Sequence, residues 1–250
     1  MIIILLIIFT LLTFITWINI EKMALRTITG TISLVLLLVT AIAMAANFND
    51  HYGMKKVTTT TTHEIYSAGG SKVPAGMLMA QSIGSKSNNY VLVYADKQNG
   101  KAKPHFAPNQ KHIIEAVKKS ATYKVADVDK ATLTTKTTRW EWRNEFFKLM
   151  FAVGGEGHSL AKQSAVVTVP KDTWVVMTPA QAKQVQKQQA TAAADSAAMQ
   201  AQQAQMQAGV QAKVQAFMQA HPKASAQEVK DYTAQTTAAL TANALKAMIK

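Results

Sequence analysis

The chain has 250 residues, a net charge of +13 from 27 basic and 14 acidic side chains, and no cysteine. The lack of cysteine excludes disulfides, zinc–thiolate sites and thiol catalysis, and the length suits one ordinary domain with appendages. The charge is +1 over residues 1–46, +8 over residues 47–178 and +4 over residues 179–250.

Residues 1–20, MIIILLIIFTLLTFITWINI, carry no charge. An apolar helix of about 20 residues crosses a hydrocarbon core of about 30 Å. Thr10, Thr13 and Thr16 fit such a helix because each hydroxyl can bond a carbonyl one turn back. Trp17 stands near its end, where indoles favour the headgroup level. Glu21, Lys22 and Arg26 form a short charged break. Residues 27–46, TITGTISLVLLLVTAIAMAA, are again uncharged. Neither run alternates like a barrel strand, so the pattern predicts two antiparallel transmembrane helices joined by a tight turn.

Lys22 and Arg26 favour a cytoplasmic turn, with both the N-terminus and the large C-terminal part outside. Lys55 and Lys56 pull the other way. A competing reading takes residues 23–46 as a secretion signal. Arg26 is then the basic region, residues 33–40 are the apolar region, and Ala43-Met44-Ala45 is a small-x-small cleavage pattern that would release the remainder.

Residues 47–56 read as a polar linker. Residues 57–67, VTTTTTHEIYS, are rich in β-branched side chains and predict a strand. A glycine- and proline-rich loop follows at 68–76. Residues 77–83 and 90–94 predict two more strands, and Asn99-Gly100 marks a hairpin turn. Residues 103–109, with two prolines, read as irregular. Asn109 as N-cap with Ile113, Ile114 and Val117 at helical spacing predicts a short helix over 109–119. Strands are expected at 121–125, within the β-rich stretch 134–144, and at 165–169 and 173–177. The runs at 57–67 and 133–144 resemble each other, and each leads on to a terminal apolar run. This suggests an internal duplication packed as a small barrel or sandwich.

Composition changes at Thr178-Pro179. Thr178 can cap a helix and Pro179 suits its first turn. Of the 42 residues 179–220, 14 are Ala and 13 are Gln, both good helix formers. Met199, Met206, Val210, Val214 and Phe217 recur on one face. His221-Pro222 ends this helix. Ser225 with Glu228 predicts a capping box for a second helix, so the arm can fold as a coiled-coil-like hairpin.

The chain offers no catalytic, cofactor-binding or metal-ligating constellation. His51, His63, His105, His112, His158 and His221 lack the spacing of a helical metal site. The glycine-rich run at 154–158 precedes no lysine–serine pair and reads as a turn. Ser159-x-x-Lys162 mimics the nucleophile motif of wall-active acyl transferases. Its companions Ser87-Asn88-Asn89 and Lys136-Thr137-Thr138 come too early in the chain, and the latter lacks the glycine. Trp140, Trp142, Phe146 and Phe147, beside Arg139, Arg143 and Lys148, either belong to a core or grip a glycan or lipid headgroup. Trp140 and Trp142 share one face of a strand, so they are buried or displayed together.

The MIIILLIIF start, the second helix after EKMALR, the VTTTTTHEIY strand and the Ala/Gln arm resemble an uncharacterised domain-of-unknown-function family of small two-helix membrane proteins from lactic acid bacteria. The resemblance covers the full chain. It implies a bacterial cell-membrane protein and transfers no functional residue.

The expected architecture is a membrane-anchored α+β protein. It has an N-terminal transmembrane helical hairpin (1–46), a β-rich extracytoplasmic domain (47–178) and an Ala/Gln-rich helical arm (179–250) broken at His221-Pro222. The expected role is non-enzymatic binding or scaffolding, without a cofactor, at membrane lipids, anionic cell-wall polymers or envelope proteins. Nucleic acid is not expected, since no recognition motif accompanies the charge. The alternative is a wall-active enzyme or enzyme accessory, anchored or secreted.

Overall fold

The computed structural model describes residues 1–84, 88–108, 111–155, 157–194 and 196–249, leaving aside the side chains at 72, 192–194 and 196–199. Two compact units emerge. One comprises Met1–Thr59 with Thr137–Lys162, and the other Thr60–Lys136 with Gln163–Lys250.

Two apolar helices open the chain, α1 (Ile2–Asn19) and α2 (Met23–Asp50). The expected linker at 47–56 is a correction: α2 continues to Asp50 and strand β1 (Met54–Glu64) begins almost at once. The cause is local. Asn47 is buried, and its side-chain amide donates to the Tyr52 carbonyl at 2.7 Å. His51 takes the left-handed conformation (φ 56°) that ends the helix, with its N–H on the Asn47 carbonyl at 3.0 Å.

The remaining strands are β2 (Gly76–Ser82), β3 (Tyr90–Tyr94), β4 (Lys103–His105), β5 (Lys119–Ala126), β6 (Thr132–Trp142), β7 (Leu160–Pro170) and β8 (Trp174–Met177). They form two mixed four-stranded sheets, ordered β1-β6-β7-β5 and β4-β3-β2-β8. The segment read as irregular at 103–109 contains β4, and Pro104 is tolerated because β4 is an edge strand.

The two threonine runs lie against each other. Thr58 bonds Thr138 at 2.8 Å and Thr62 bonds Thr134 at 3.1 Å, so β1 and β6 are antiparallel partners in one ladder. The duplication expected from their likeness does not appear as a pseudo-twofold. β3 runs antiparallel and β8 parallel to the same strand, β2. A twofold exchanging them across the sheet would have to reverse β2.

Alternation along β2 and β8 explains the core. Leu78 and Ala80 join Ile65, Leu92, Tyr94, Leu133, Val167 and Val169 in one buried cluster, with Trp174 and Val176 packed against it. The opposite face presents Met77, Met79, Val175 and Met177 to Ala182 and Val185 of α5 (Pro179–Ala194) and to Ala242 and Leu245 of α7 (Ala226–Met248). Along β2 and β8 the second sheet is therefore covered on both faces, which is why β8 reads as a continuous apolar run.

Helix α6 (Ser196–Ala220) pairs antiparallel with α7. Phe217 stacks on Tyr232 at 4.1 Å between ring centroids, and Thr241 donates to the Met206 sulfur at 3.8 Å. Both expected caps are present. The Thr178 hydroxyl accepts from the Gln181 N–H at 3.2 Å, and Ser225 with Glu228 closes a full capping box.

The helix expected over 109–119 shortens to a single turn, α3 (Ile113–Ala116), whose Ile113 and Ile114, with Val117 just beyond, are exposed. Its expected cap, Asn109, lies outside the described residues, as do Ser87, Glu156 and the Met199 side chain.

Candidate functional site

The hairpin meets along small and polar side chains. Gly30, Ser33, Thr40 and Asn47 are the buried residues of α2, spaced three and then seven apart. Such a stripe lets two helix backbones approach closely. The Ser33 and Thr16 hydroxyls lie 3.4 Å apart across the pair. Each also bonds its own helix: Ser33 donates to the Gly30 carbonyl at 2.9 Å and Thr16 to the Thr13 carbonyl at 3.0 Å. No threonine or serine hydroxyl in this interface is left without a partner carbonyl. Most large apolar side chains face outward instead: Ile2 is buried, but Ile4, Ile7 and Phe14 on α1, and Val35, Leu38 and Ile42 on α2, are exposed. Both helices are long and apolar enough to cross a membrane by length and composition.

At the far end of α2 an aromatic and basic cluster assembles, and the tryptophans that the sequence singled out belong to it. Trp140 is half-buried between the His51 ring, stacked at 4.1 Å, and the Lys56 ammonium, 4.8 Å from the indole centroid. Trp142 is half-buried too, as their shared strand face requires. Neither is a deep-core residue. Arg139 donates to the His158 carbonyl at 2.9 Å and Arg143 Nε to the Met54 carbonyl at 3.1 Å. These two bonds tie the guanidinium stems to neighbouring strand ends while their charge stays at the surface.

Phe146 and Phe147 lie on a helix that the sequence reading passed over, α4 (Glu145–Phe151). Asn144 caps it, accepting from the Phe147 N–H at 3.1 Å. Its inward side is Phe147, Met150 and Phe151. Tyr52 meets the Phe147 and Phe151 rings edge-on at 5.6 and 6.3 Å. Its outward side is also apolar: Phe146 and Leu149 are each 62% exposed, and Val153 just beyond is 46% exposed. The signal was there, in Asn144-Glu145 followed by apolar residues at 147, 150 and 151.

The other candidates do not converge. Ser159 sits just before β7 and Lys162 lies within it, about 10 Å apart in extended backbone and on opposite faces. His105 stacks on buried Tyr94 at 3.9 Å with Nε2 3.4 Å from Asp96. Burial first, and then the Asp96 charge, push the Tyr94 phenol well above its ordinary range. His158 lies 3.5 Å from Glu141, and His221 packs on Phe217. Among the described residues no group of His, Asp or Glu stands close enough to hold a metal ion. A cleft of about 690 Å³ beside β8 is lined by Asp127, Asp129, Asp172 and Asp231 together with Lys130 and Lys171. Lys130 is paired with Glu64 at 3.1 Å.

With the hairpin, both sheets and the cluster in view, comparison with known families places the protein. The chain belongs to the family described as DUF4811, a domain of unknown function. The match spans residues 22–185, from just before α2 through both sheets into α5. Helix α1, α6 and α7 lie outside the DUF4811 match. No curated protein and no solved structure matches the chain.

Proposed function

We propose that this DUF4811 protein is a two-pass protein of a bacterial cell membrane, of the kind found in lactic acid bacteria, that binds or scaffolds at an anionic envelope surface. The observation that carries this reading is the inverted packing of α1 against α2. Gly30, Ser33, Thr40 and Asn47 are the buried residues of α2, while most of the leucine, isoleucine and phenylalanine side chains of the pair face out. A soluble helix pair buries its large apolar side chains; a pair in lipid gains nothing by doing so and packs through small residues. The unbroken course of α2 through Ala43-Met44-Ala45 supports an anchor that is kept rather than cleaved.

The partner is a surface carrying phosphate or carboxylate, either lipid headgroups or wall polymers, to which the +8 charge of residues 47–178 is drawn. The part beyond the hairpin lies outside the cell, with the Lys22–Arg26 turn in the cytoplasm. The separation of Ser159 from Lys162 supports a binding role over an acyl-transfer one.

The test is expression of the full chain in a bacterial host with a tag after Lys250. The expected product is full length, stays with membranes through alkaline carbonate extraction, and loses its tag to protease added to intact protoplasts. A product freed by carbonate, or found in the medium beginning near Ala46, overturns the anchor. A protected tag overturns the orientation.

A further inference from the structure

We infer that α4 is an interfacial foot whose Phe146 and Leu149 sit among lipid headgroups of the same leaflet that α1 enters. This rests on the proposed membrane hairpin and adds to it a second, non-spanning contact with the bilayer.

The argument begins with length. Helix α1 has 18 residues, a rise of about 27 Å, against a hydrocarbon core of about 30 Å. Its two ends therefore lie at the two boundaries of that core. At one boundary the Met1 nitrogen bonds the Leu149 and Met150 carbonyls, at 3.2 and 3.3 Å. Helix α4 thus lies directly on the end of α1, at the level where hydrocarbon gives way to headgroups. Tyr52, just past the end of α2, packs on Phe147 and Phe151 and holds α4 there from the other side.

Position alone would not require lipid contact, but the side chains do. A short surface helix normally buries one stripe and turns polar residues outward. Helix α4 buries Phe151, half-buries Phe147 and Met150, and then exposes a second stripe of Phe146, Leu149 and, just beyond it, Val153. Ile3, Ile4 and Ile7, in the first two turns of the helix whose end meets α4, are exposed as well. Exposed Arg143 and Lys148 border it in the chain, Lys148 paired with Glu145 at 3.2 Å. An apolar stripe edged by cations is what a boundary of acyl chains and anionic phosphates receives. The occupant is therefore the bilayer itself and not a protein partner.

The cysteine-free chain allows single labels without background. Phe146→Cys, Leu149→Cys and Leu38→Cys are each placed in the full chain, coupled to an environment-sensitive fluorophore and reconstituted in phosphatidylglycerol–phosphatidylcholine vesicles. Quencher lipids carry nitroxide either near the headgroup or deep in the acyl chain. Position 38 reports on the hairpin. The expected result is quenching at 38 by the deep lipid, and quenching at 146 and 149 at least twofold stronger by the shallow lipid than by the deep one. Quenching at 38 with none at 146 and 149 overturns the foot and leaves the hairpin standing. Blue-shifted emission at 146 that no lipid quenches, and that grows with protein density, assigns the stripe to protein contact and overturns it as well. Absence of quenching at 38 overturns the hairpin and the foot together.

Discussion

The indole of Trp17 lies over Gly30, so closely that a β-carbon at Gly30 would stand 2.6 Å from Nε1 and 2.8 Å from Cε2. Gly30 is therefore required by its neighbour in the hairpin rather than by its own backbone. Gly30→Val should force the indole aside at a cost of about 1–3 kcal/mol. The measurement is disulfide formation in a Thr16→Cys/Ser33→Cys background, where the parent hydroxyls are 3.4 Å apart. Cross-linking should be efficient with glycine at 30 and several-fold lower with valine. Equal yields would mean that Trp17 and Gly30 do not set the helix separation.

Leu92 is fully buried between the two sheets, while Val125 on β5 is 47% exposed. Leu92→Ala should destabilise the detergent-solubilised full chain by about 2–5 kcal/mol, and Val125→Ala by less than about 0.5 kcal/mol. Denaturant unfolding followed by near-UV circular dichroism compares the two. Similar midpoints would place the core elsewhere.

The start of α7 is sensitive to acid. The Ser225 N–H donates to the Glu228 carboxylate at 2.7 Å and the Ser225 hydroxyl at 2.8 Å. These bonds, the backbone one first, hold the Glu228 carboxyl below its usual range. A lowered folded-state pKa means that the contribution is complete above the ordinary glutamate range and is lost as pH falls through the depressed value. Protection of the amides in the first turn of α7, taken relative to their intrinsic exchange at each pH, should fall only on acidification through that interval. Ser225→Ala, which removes the hydroxyl acceptor for the Glu228 N–H, should cost about 1 kcal/mol and blunt the acid dependence.

The α6–α7 pair depends on one aromatic stack. Phe217 and Tyr232 lie 4.1 Å apart and nearly parallel, at 13°. The rest of that seam is thinner: a β-carbon at Gly209 would touch only Leu240, at 3.5 Å. Phe217→Ala should raise amide exchange along α6 about tenfold or more, the loss of about 1.4 kcal/mol or greater, while leaving exchange in β2 and β3 unchanged. Unaltered exchange in α6 would show that the stack carries little of the pairing.

What could be read in advance was local. Uncharged runs of twenty residues announce α1 and α2. Thr178 with Pro179 and Ser225 with Glu228 announce helix starts within four residues of sequence. Tyr90–Tyr94 stands in the structure with the bounds its apolar run suggested. Short amphipathic segments misled in both directions. Ile113, Ile114 and Val117 span too few residues to fix a period, and one helical turn leaves them exposed. Helix α4 was hidden behind the β-favouring Trp140 and Trp142, which belong to the strand before it. Distant pairing was not legible at all. Nothing in Gly76–Ser82 announces that β8 will lie parallel to it, or that the two threonine runs will pair as neighbours in one ladder.

The cover on the second sheet has a consequence for biosynthesis. Its outward face on β2 and β8 is closed by Val185 of α5 and by Ala242 and Leu245 of α7. Leu245 follows every strand in the chain, so its contacts are with strands translated long before it. Until α7 emerges, those strands wait with Met77, Val175 and Met177 incompletely covered, a surface that invites chaperones or aggregation. A frameshift or premature stop before α7 would leave both sheets encoded and still yield a chain fit for proteolytic surveillance.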